Sequence, residues 1–181
     1  MDLSTTLILI FLFILMEAFF SGSEIGMIAI NRIKMKQQAD KGNRSAEIIL
    51  NLLNSPEKLF ATTSLGTNLA VVSSTSIFTA YMVTHMGKQG EILAMVILAP
   101  IILFGGEIVP KMILQNRADM VMPIFVRPLN MSLTILSPII NFFTSISNFI
   151  TNKLIRLPQE EKKSFSRDQI LQVLSLDSQT I

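Results

Sequence analysis

Three long apolar stretches limit this chain to a membrane-spanning fold. A helix needs about 20 apolar residues to cross about 30 Å of hydrocarbon, and the sequence offers spans at about residues 3–30, 59–86 and 92–114. Charged residues are 15% of the 181, well below the proportion of about 25% that is usual in soluble domains. The sequence therefore predicts an all-α integral membrane protein with three transmembrane helices, the first of them retained rather than cleaved as a signal peptide.

Basic residues set the expected topology. Residues 31–58 hold six Lys and Arg side chains, and an excess of positive charge stays on the cytoplasmic side. This places the N-terminus outside, the link Gly87 to Glu91 outside and the C-terminus inside. Within 31–58 we expect a cytoplasmic helical hairpin with its turn at Lys41-Gly42-Asn43, because Gly suits a left-handed helix end. Ser55-Pro56 then resembles the start of a new helix.

The apolar stretch after the third span contains three prolines. Pro123, Pro128 and Pro138 each lack a backbone donor, so we expect Met120 to Asn152 to form short kinked helices along the inner leaflet. This juxtamembrane belt is predicted over residues 118–157. Residues 158–181 are polar, and Ser166 to Gln169 resembles a capping box that opens an amphipathic helix, so we expect the start of a cytoplasmic segment.

Each predicted span is interrupted by polar residues. The interruptions read FFSGSE (residues 19–24), LGTNLA (65–70) and GGEIVPK (105–111). Counted from the outer face at 1.5 Å per residue, Ser21, Asn68 and Glu107 lie about 22 to 27 Å deep. The sequence therefore predicts that the three helices present polar groups at one level, where Glu107 is the only acid expected.

Oxygen atoms dominate this level. The chain has no Cys and a single His85, so a bound metal would be a hard, oxygen-ligated ion such as Mg2+, Ca2+ or Na+. Glycines accompany every interruption, and Gly lets helices approach closely or unwind and free carbonyl oxygens. The polar level is thus a candidate cation site.

These motifs resemble the transmembrane domain of the CNNM/CorC magnesium transporters, above all in GGEIVPK. The resemblance implies a homodimer with three spans per subunit, a dehydrated Mg2+ bound at the interruptions, and a pair of cytoplasmic CBS domains before which this chain stops. The implied metal ligands are Ser21, Asn68 and Glu107, with Gly66 or Ser23 as carbonyl donors. Further candidates are an ion path at Glu17 and Glu24 and helix breaking at Gly22, Gly105, Gly106 and Pro110.

Each of these residues also has a purely structural interpretation. Ser21 and Ser23 could bond the preceding helical turn and bend the helix. Asn68 could join two helices without touching an ion. Glu107 could pair with Lys111 one turn later. Glu17 and Glu24 could equally form a structural pair or stay protonated.

Two functions follow, and a third is disfavoured. The first is a secondary transporter in the cell membrane, plasma or inner, that exports Mg2+ by alternating access, with Na+ coupling implied by the resemblance. The second is a membrane anchor and dimerisation module that holds a structural ion. An intramembrane enzyme is not expected, because Ser23 has no His partner within the membrane and the G-x-S-x-G pattern is absent.

Overall fold

The computed structural model describes residues 2–154, with side chains for residues 2–142 and 145. This part of the chain is all helical and contains no strand, as predicted. The predicted tail over 158–181 and the end of the belt lie outside the described residues. The elements are α1 (Leu3–Ala29), α2 (Arg32–Asp40), α3 (Arg44–Leu53), α4 (Pro56–Met86), α5 (Lys88–Ile101), a π-helix (Ile102–Ile108) and α6 (Val109–Leu154).

The chain divides into two compact units, residues 1–140 and 141–181. In the second unit, residues 141–154 are helical. The first unit contains the helices from α1 to α5, the π-helix and the first turns of α6.

Three helical stretches are long and apolar enough to cross a membrane: Leu3–Ala29, Pro56–Met86 and Lys88–Phe142. Their surfaces are apolar, and no more than 22% of the most apolar window of each is buried by the protein itself. Large side chains such as Phe11 (61% exposed) and Met95 (73% exposed) point outward. Because monomeric soluble proteins rarely expose so continuous an apolar surface, lipid is its natural surrounding. The predicted number of spans is confirmed.

Two short helices connect the first two spans. Asn31 begins α2 and accepts a hydrogen bond from the Lys34 amide at 3.1 Å, and Asn43 begins α3 and accepts one from the Ser45 amide at 3.0 Å. Gly42 lies between them with φ +83°, in the left-handed region that Gly reaches without steric cost. The chain can therefore reverse direction between α2 and α3.

Two apolar clusters occupy opposite ends of the three long helices. One lies near the α4–α5 link, and the other near the α2–α3 turn. The α4–α5 cluster comprises Ile10, Phe78, Met82, Ala94 and Leu98. The α2–α3 cluster includes Phe20, Met27, Met35, Ile49, Leu59, Leu114, Met122 and Leu129. The polar interruption of α4 falls between the two clusters, whereas that of α1 lies within the part of α1 that contributes Phe20 and Met27 to the α2–α3 cluster.

The link between α4 and α5 is shorter than predicted. Gly87 ends α4 with φ +64°, and α5 begins at the next residue. Gly90 packs directly on the Met82 carbonyl oxygen, where a Cβ atom would clash with the α4 backbone. This close approach explains why residues 88–91, expected as a link, are helical.

The helix after the π-helix is not divided at its prolines. α6 continues through Pro123, Pro128 and Pro138, so the expected series of short helices is not observed in residues 109–154. Proline removes one hydrogen bond but has a φ compatible with a helix, and one lost bond per helical stretch can be tolerated. The residue with non-helical dihedral angles is instead Arg117 (φ −124°, ψ 25°).

Asp119 follows this break and contacts the start of α2. Its carboxylate accepts hydrogen bonds from the Asn31 amide at 2.9 Å and from Lys34 Nζ at 3.1 Å. The contact fixes the end of α1 to the beginning of the second half of α6.

Candidate cation site

Helix α1 contacts the polar interruptions of both α4 and the π-helix. Phe20 of α1 covers Gly66 of α4, and the Glu17 carboxylate of α1 lies over Gly106 of the π-helix. A Cβ atom at Gly66 or Gly106 would clash with these side chains. Glycine at both positions therefore allows α4 and the π-helix to approach α1 closely.

The π-helix contains the GGEI sequence of the third interruption. Proline stands near both of its ends: Pro100 precedes it by two residues, and Pro110 lies in the first turn of α6. Residue 110 would donate its N–H to the carbonyl of Gly106 in an α-helix, or to that of Gly105 in a π-helix. Because Pro110 has no N–H, one of these two carbonyls lacks its donor. The site thus contains a backbone carbonyl that the helix itself does not satisfy, as at many functional π-bulges.

Glu17 is the most deeply buried acid among the described residues. Only 1% of it is exposed, and its Oε2 atom has no hydrogen-bond partner. Glu107 and Lys111 are within electrostatic range of it. The prediction that Glu107 is the only acid at this depth is therefore wrong. Counting residues from assumed helix ends missed this, because side-chain packing decides which turns of neighbouring helices face each other.

Ser21 and Ser23 are buried and differ from several other hydroxyl residues of the spans. Their exposed fractions are 2% and 0%, and neither Oγ atom has a hydrogen-bond partner. Elsewhere in the spans, hydroxyl groups donate to a carbonyl three or four residues earlier, as in Thr62, Ser74 and Thr84. The interpretation that Ser21 and Ser23 bond the preceding turn has no support in these contacts. Both hydroxyls are available for another ligand.

Glu107 is half-exposed and forms an ion pair. Its side chain is 44% exposed, and Oε1 accepts a hydrogen bond from Lys111 Nζ at 2.6 Å. The structural interpretation of Glu107 as the partner of Lys111 is therefore observed. The ion pair leaves part of the carboxylate free to bind another group, because its two oxygens can accept about four hydrogen bonds or bind a metal. In this structure Lys111 balances the negative charge of Glu107.

The α4 interruption presents two different side chains. Thr67 is half-buried, and its Oγ1 atom is buried without a hydrogen-bond partner. Asn68, the predicted ligand, is exposed on the surface of the single chain. Thr67 was not singled out from the sequence, although it lies within LGTNLA, because a lone Thr in a helix usually bonds its own backbone.

Glu24 lies one turn beyond Ser21 in a separate environment. It is half-buried and accepts a hydrogen bond from Thr63 Oγ1 at 3.2 Å. It therefore has a partner on α4, whereas Glu17 Oε2 has none. Gly22, one of the predicted helix-breaking residues, lies within an unbroken α1, where a Cβ atom would meet the Leu114 side chain at 3.1 Å.

The polar interruptions contain several buried hydrogen-bond acceptors that have no donor. Glu17, Ser21, Ser23 and Thr67 each have a buried side-chain oxygen without a hydrogen-bond partner, and Pro110 frees a backbone carbonyl. Buried acceptors without donors are costly, and a cation is the group that satisfies several at once. Among the described residues no three His, Cys, Asp or Glu side chains cluster, so an ion here would rely on hydroxyl and carbonyl oxygens as well as carboxylates.

The fold and this level define a multi-pass helical membrane domain with a polar, carboxylate-bearing centre. The chain belongs to the CNNM family, since the model of the cyclin M transmembrane N-terminal domain matches residues 7–180. The resemblance seen in the sequence motifs is thereby confirmed.

Curated relatives agree with this family. The chain is 27% identical over 185 residues to the UPF0053 inner membrane protein YfjD of Escherichia coli K12, covering 91% of this chain and 43% of the relative. It is 27% identical to a UPF0053 protein of Haemophilus influenzae, covering 96% and 41%. It is 26% identical to the polyamine export protein of E. coli K12, covering 93% and 40%. The chain spans less than half the length of these relatives.

Proposed function

We propose that this domain carries Mg2+ across the membrane as a secondary transporter, through a site between α1, α4 and the π-helix. The observation that carries the proposal is the presence on α1 of buried oxygens without a hydrogen-bond partner, those of Glu17, Ser21 and Ser23, with the Glu17 carboxylate against Gly106. Ionisable residues within a membrane are costly and mark ion paths by default. Membership of the CNNM family supports the same function.

The oxygen set is chemically suited to Mg2+. This ion prefers hard oxygen ligands at about 2.0 to 2.1 Å and loses water reluctantly, so a formal negative charge is needed to offset its desolvation. Glu107 is the half-exposed acid of the site and would meet the ion first. In the absence of the ion, Lys111 balances its charge.

The remaining features of the transporter are parts of the same proposal. Mg2+ leaves the cytoplasm, Na+ entry drives it, and the protein is a homodimer of the inner membrane with an outer N-terminus. The exposed polar face of α4, formed by Ser64, Asn68 and Ser76, supports the dimer. An amide or hydroxyl facing lipid is unfavourable, so a second copy is expected to cover it. CBS domains, implied by the sequence motifs, would follow in a longer chain.

Flux through proteoliposomes tests the proposal. The chain is reconstituted, and Mg2+ movement is followed with an enclosed Mg2+-sensitive dye, with and without a Na+ gradient. Flux above that of protein-free liposomes, and its loss in Glu107→Gln, is expected. Tight Mg2+ binding without flux would instead indicate a membrane anchor with a structural ion.

A second candidate cargo is a polyamine. One relative is a polyamine export protein, and the 2.6 Å contact between Lys111 Nζ and Glu107 shows that a primary ammonium group can occupy the carboxylate. Radiolabelled spermidine in the same liposomes separates the two cargoes. Spermidine flux without Mg2+ flux would contradict the Mg2+ proposal and favour the polyamine.

A further inference from the structure

Glu17 occupies a position for which the fold offers no partner. It is 1% exposed in the middle of α1, between the two apolar clusters. Its Oε2 atom has no hydrogen-bond partner. A buried carboxylate without a partner is costly as an anion, and it is stabilised either by a proton or by a bound cation.

The immediate surroundings of Glu17 contain further acceptors. The carboxylate lies directly over Gly106, and only the absence of a side chain there leaves room for it. Gly106 or Gly105 carries the carbonyl freed by Pro110. One turn along the same face of α1, the Ser21 hydroxyl is buried and unpartnered. These oxygens belong to two helices that are in contact through Glu17 and Gly106.

The charged neighbours of Glu17 are Glu107 and Lys111, both within electrostatic range. Lys111 bonds Glu107 rather than Glu17. The local charge of two carboxylates and one ammonium is therefore negative, and one of the two carboxylates is left without a counter-charge.

We infer that Glu17 is a direct ligand of the transported cation, so that the site holds two carboxylates, Glu17 on α1 and Glu107 on the π-helix. This inference deepens the proposed function and rests on it. When the ion displaces Lys111 from Glu107, the two carboxylates neutralise a divalent ion, whereas a monovalent ion such as Na+ leaves one negative charge in a low-dielectric setting. The pair therefore favours divalent over monovalent cargo.

Calorimetric titration of the chain in detergent with Mg2+ tests this assignment. Glu17→Gln keeps the shape of the side chain and removes its charge, and we expect Mg2+ affinity to fall by about tenfold or more. Glu57→Gln is the control, because Glu57 is an exposed acid in the first turn of α4 and lies outside the three polar interruptions. We expect its Mg2+ affinity to stay within about threefold of the wild type.

Thermal unfolding with and without Mg2+ separates a ligand from a structural residue. Without Mg2+, Glu17→Gln should unfold at the same or a higher temperature than the wild type, since a buried charge is removed. With Mg2+, its stabilisation should be smaller than that of the wild type. Reduced stability without Mg2+ together with an unchanged response to Mg2+ would assign Glu17 to the fold alone.

The titrations distinguish failure of the proposed function from failure of the role assigned to Glu17. If the wild type binds no Mg2+, both the proposed function and the role of Glu17 are contradicted. If the wild type binds Mg2+ and Glu17→Gln binds it equally well, the site remains but Glu17 is not its ligand.

Discussion

At the scale of single residues, the proposed function makes the carboxylate of Glu107 the group that determines whether the cation is bound. Mg2+ must lose water in a low-dielectric setting, where a half-exposed acid can both meet the ion and offset its charge. We predict that Glu107→Gln abolishes Mg2+ binding and flux while the protein stays folded, since the i,i+4 pair with Lys111 contributes only about 0.3–0.5 kcal/mol in helices. Calorimetry and circular dichroism measure the two effects. A variant that carries Mg2+ at the normal rate would place the ion path elsewhere.

Ser21 contributes a neutral oxygen, so its removal should have a smaller effect. We predict that Ser21→Ala lowers Mg2+ affinity by about tenfold or less, because a water molecule or carbonyl can replace the hydroxyl. Stability without Mg2+ should be unchanged or higher by about 1 kcal/mol, since the variant removes an unpartnered buried hydroxyl. Ser74→Ala is the control: Ser74 donates to the Val71 carbonyl at 3.0 Å, and its loss should leave Mg2+ affinity unchanged. Equal affinity in both variants would remove Ser21 from the site.

At the scale of elements, two adjacent glycines of the π-helix have different surroundings. A Cβ atom at Gly106 would clash with the Glu17 carboxylate, whereas one at Gly105 would meet Ile14 at an ordinary 3.7 Å. We predict that Gly106→Ala lowers Mg2+ affinity at least tenfold and destabilises the fold by about 1–3 kcal/mol. Gly105→Ala should retain binding. Thermal unfolding and Mg2+ titration of the two variants compare them, and identical behaviour would contradict this packing.

The elements also show what could be predicted from the sequence. The three spans are predictable because length and apolar composition alone determine whether a helix can cross a bilayer. The motif GGEIVPK indicates a site, because Gly, Pro and an acid in an apolar stretch disrupt a helix at a cost that function explains. The π-helix and the break at Arg117 were not predicted, since both depend on how α6 packs against α1 and α2. For the same reason the sequence could not place Glu17 beside Gly106.

At the scale of the whole molecule, the exposed polar face of α4 requires a cover. We predict that a cysteine at Ser76, introduced into a chain that has none, forms a covalent dimer with a bifunctional thiol reagent in membranes. A cysteine at Phe11, which is 61% exposed on the apolar surface of α1, is the control and should remain monomeric. Gel electrophoresis after crosslinking distinguishes the two. Only monomer for Ser76→Cys would contradict a dimer that buries this face.

The positive charge of residues 31–58 and the odd number of spans predict how the protein is oriented in the membrane. If the helix after Arg117 lies along the inner leaflet, as the prolines and the flanking basic residues predict, its later part never reaches the outside. We predict that a cysteine at Ser145, which is exposed, is not labelled by an impermeant thiol reagent added to intact cells, but is labelled after permeabilisation. A cysteine at Gln89, exposed near the α4–α5 link, is the positive control and should react without permeabilisation. Labelling of Ser145→Cys in intact cells would show that α6 makes a fourth crossing, which would reverse the expected location of the C-terminus.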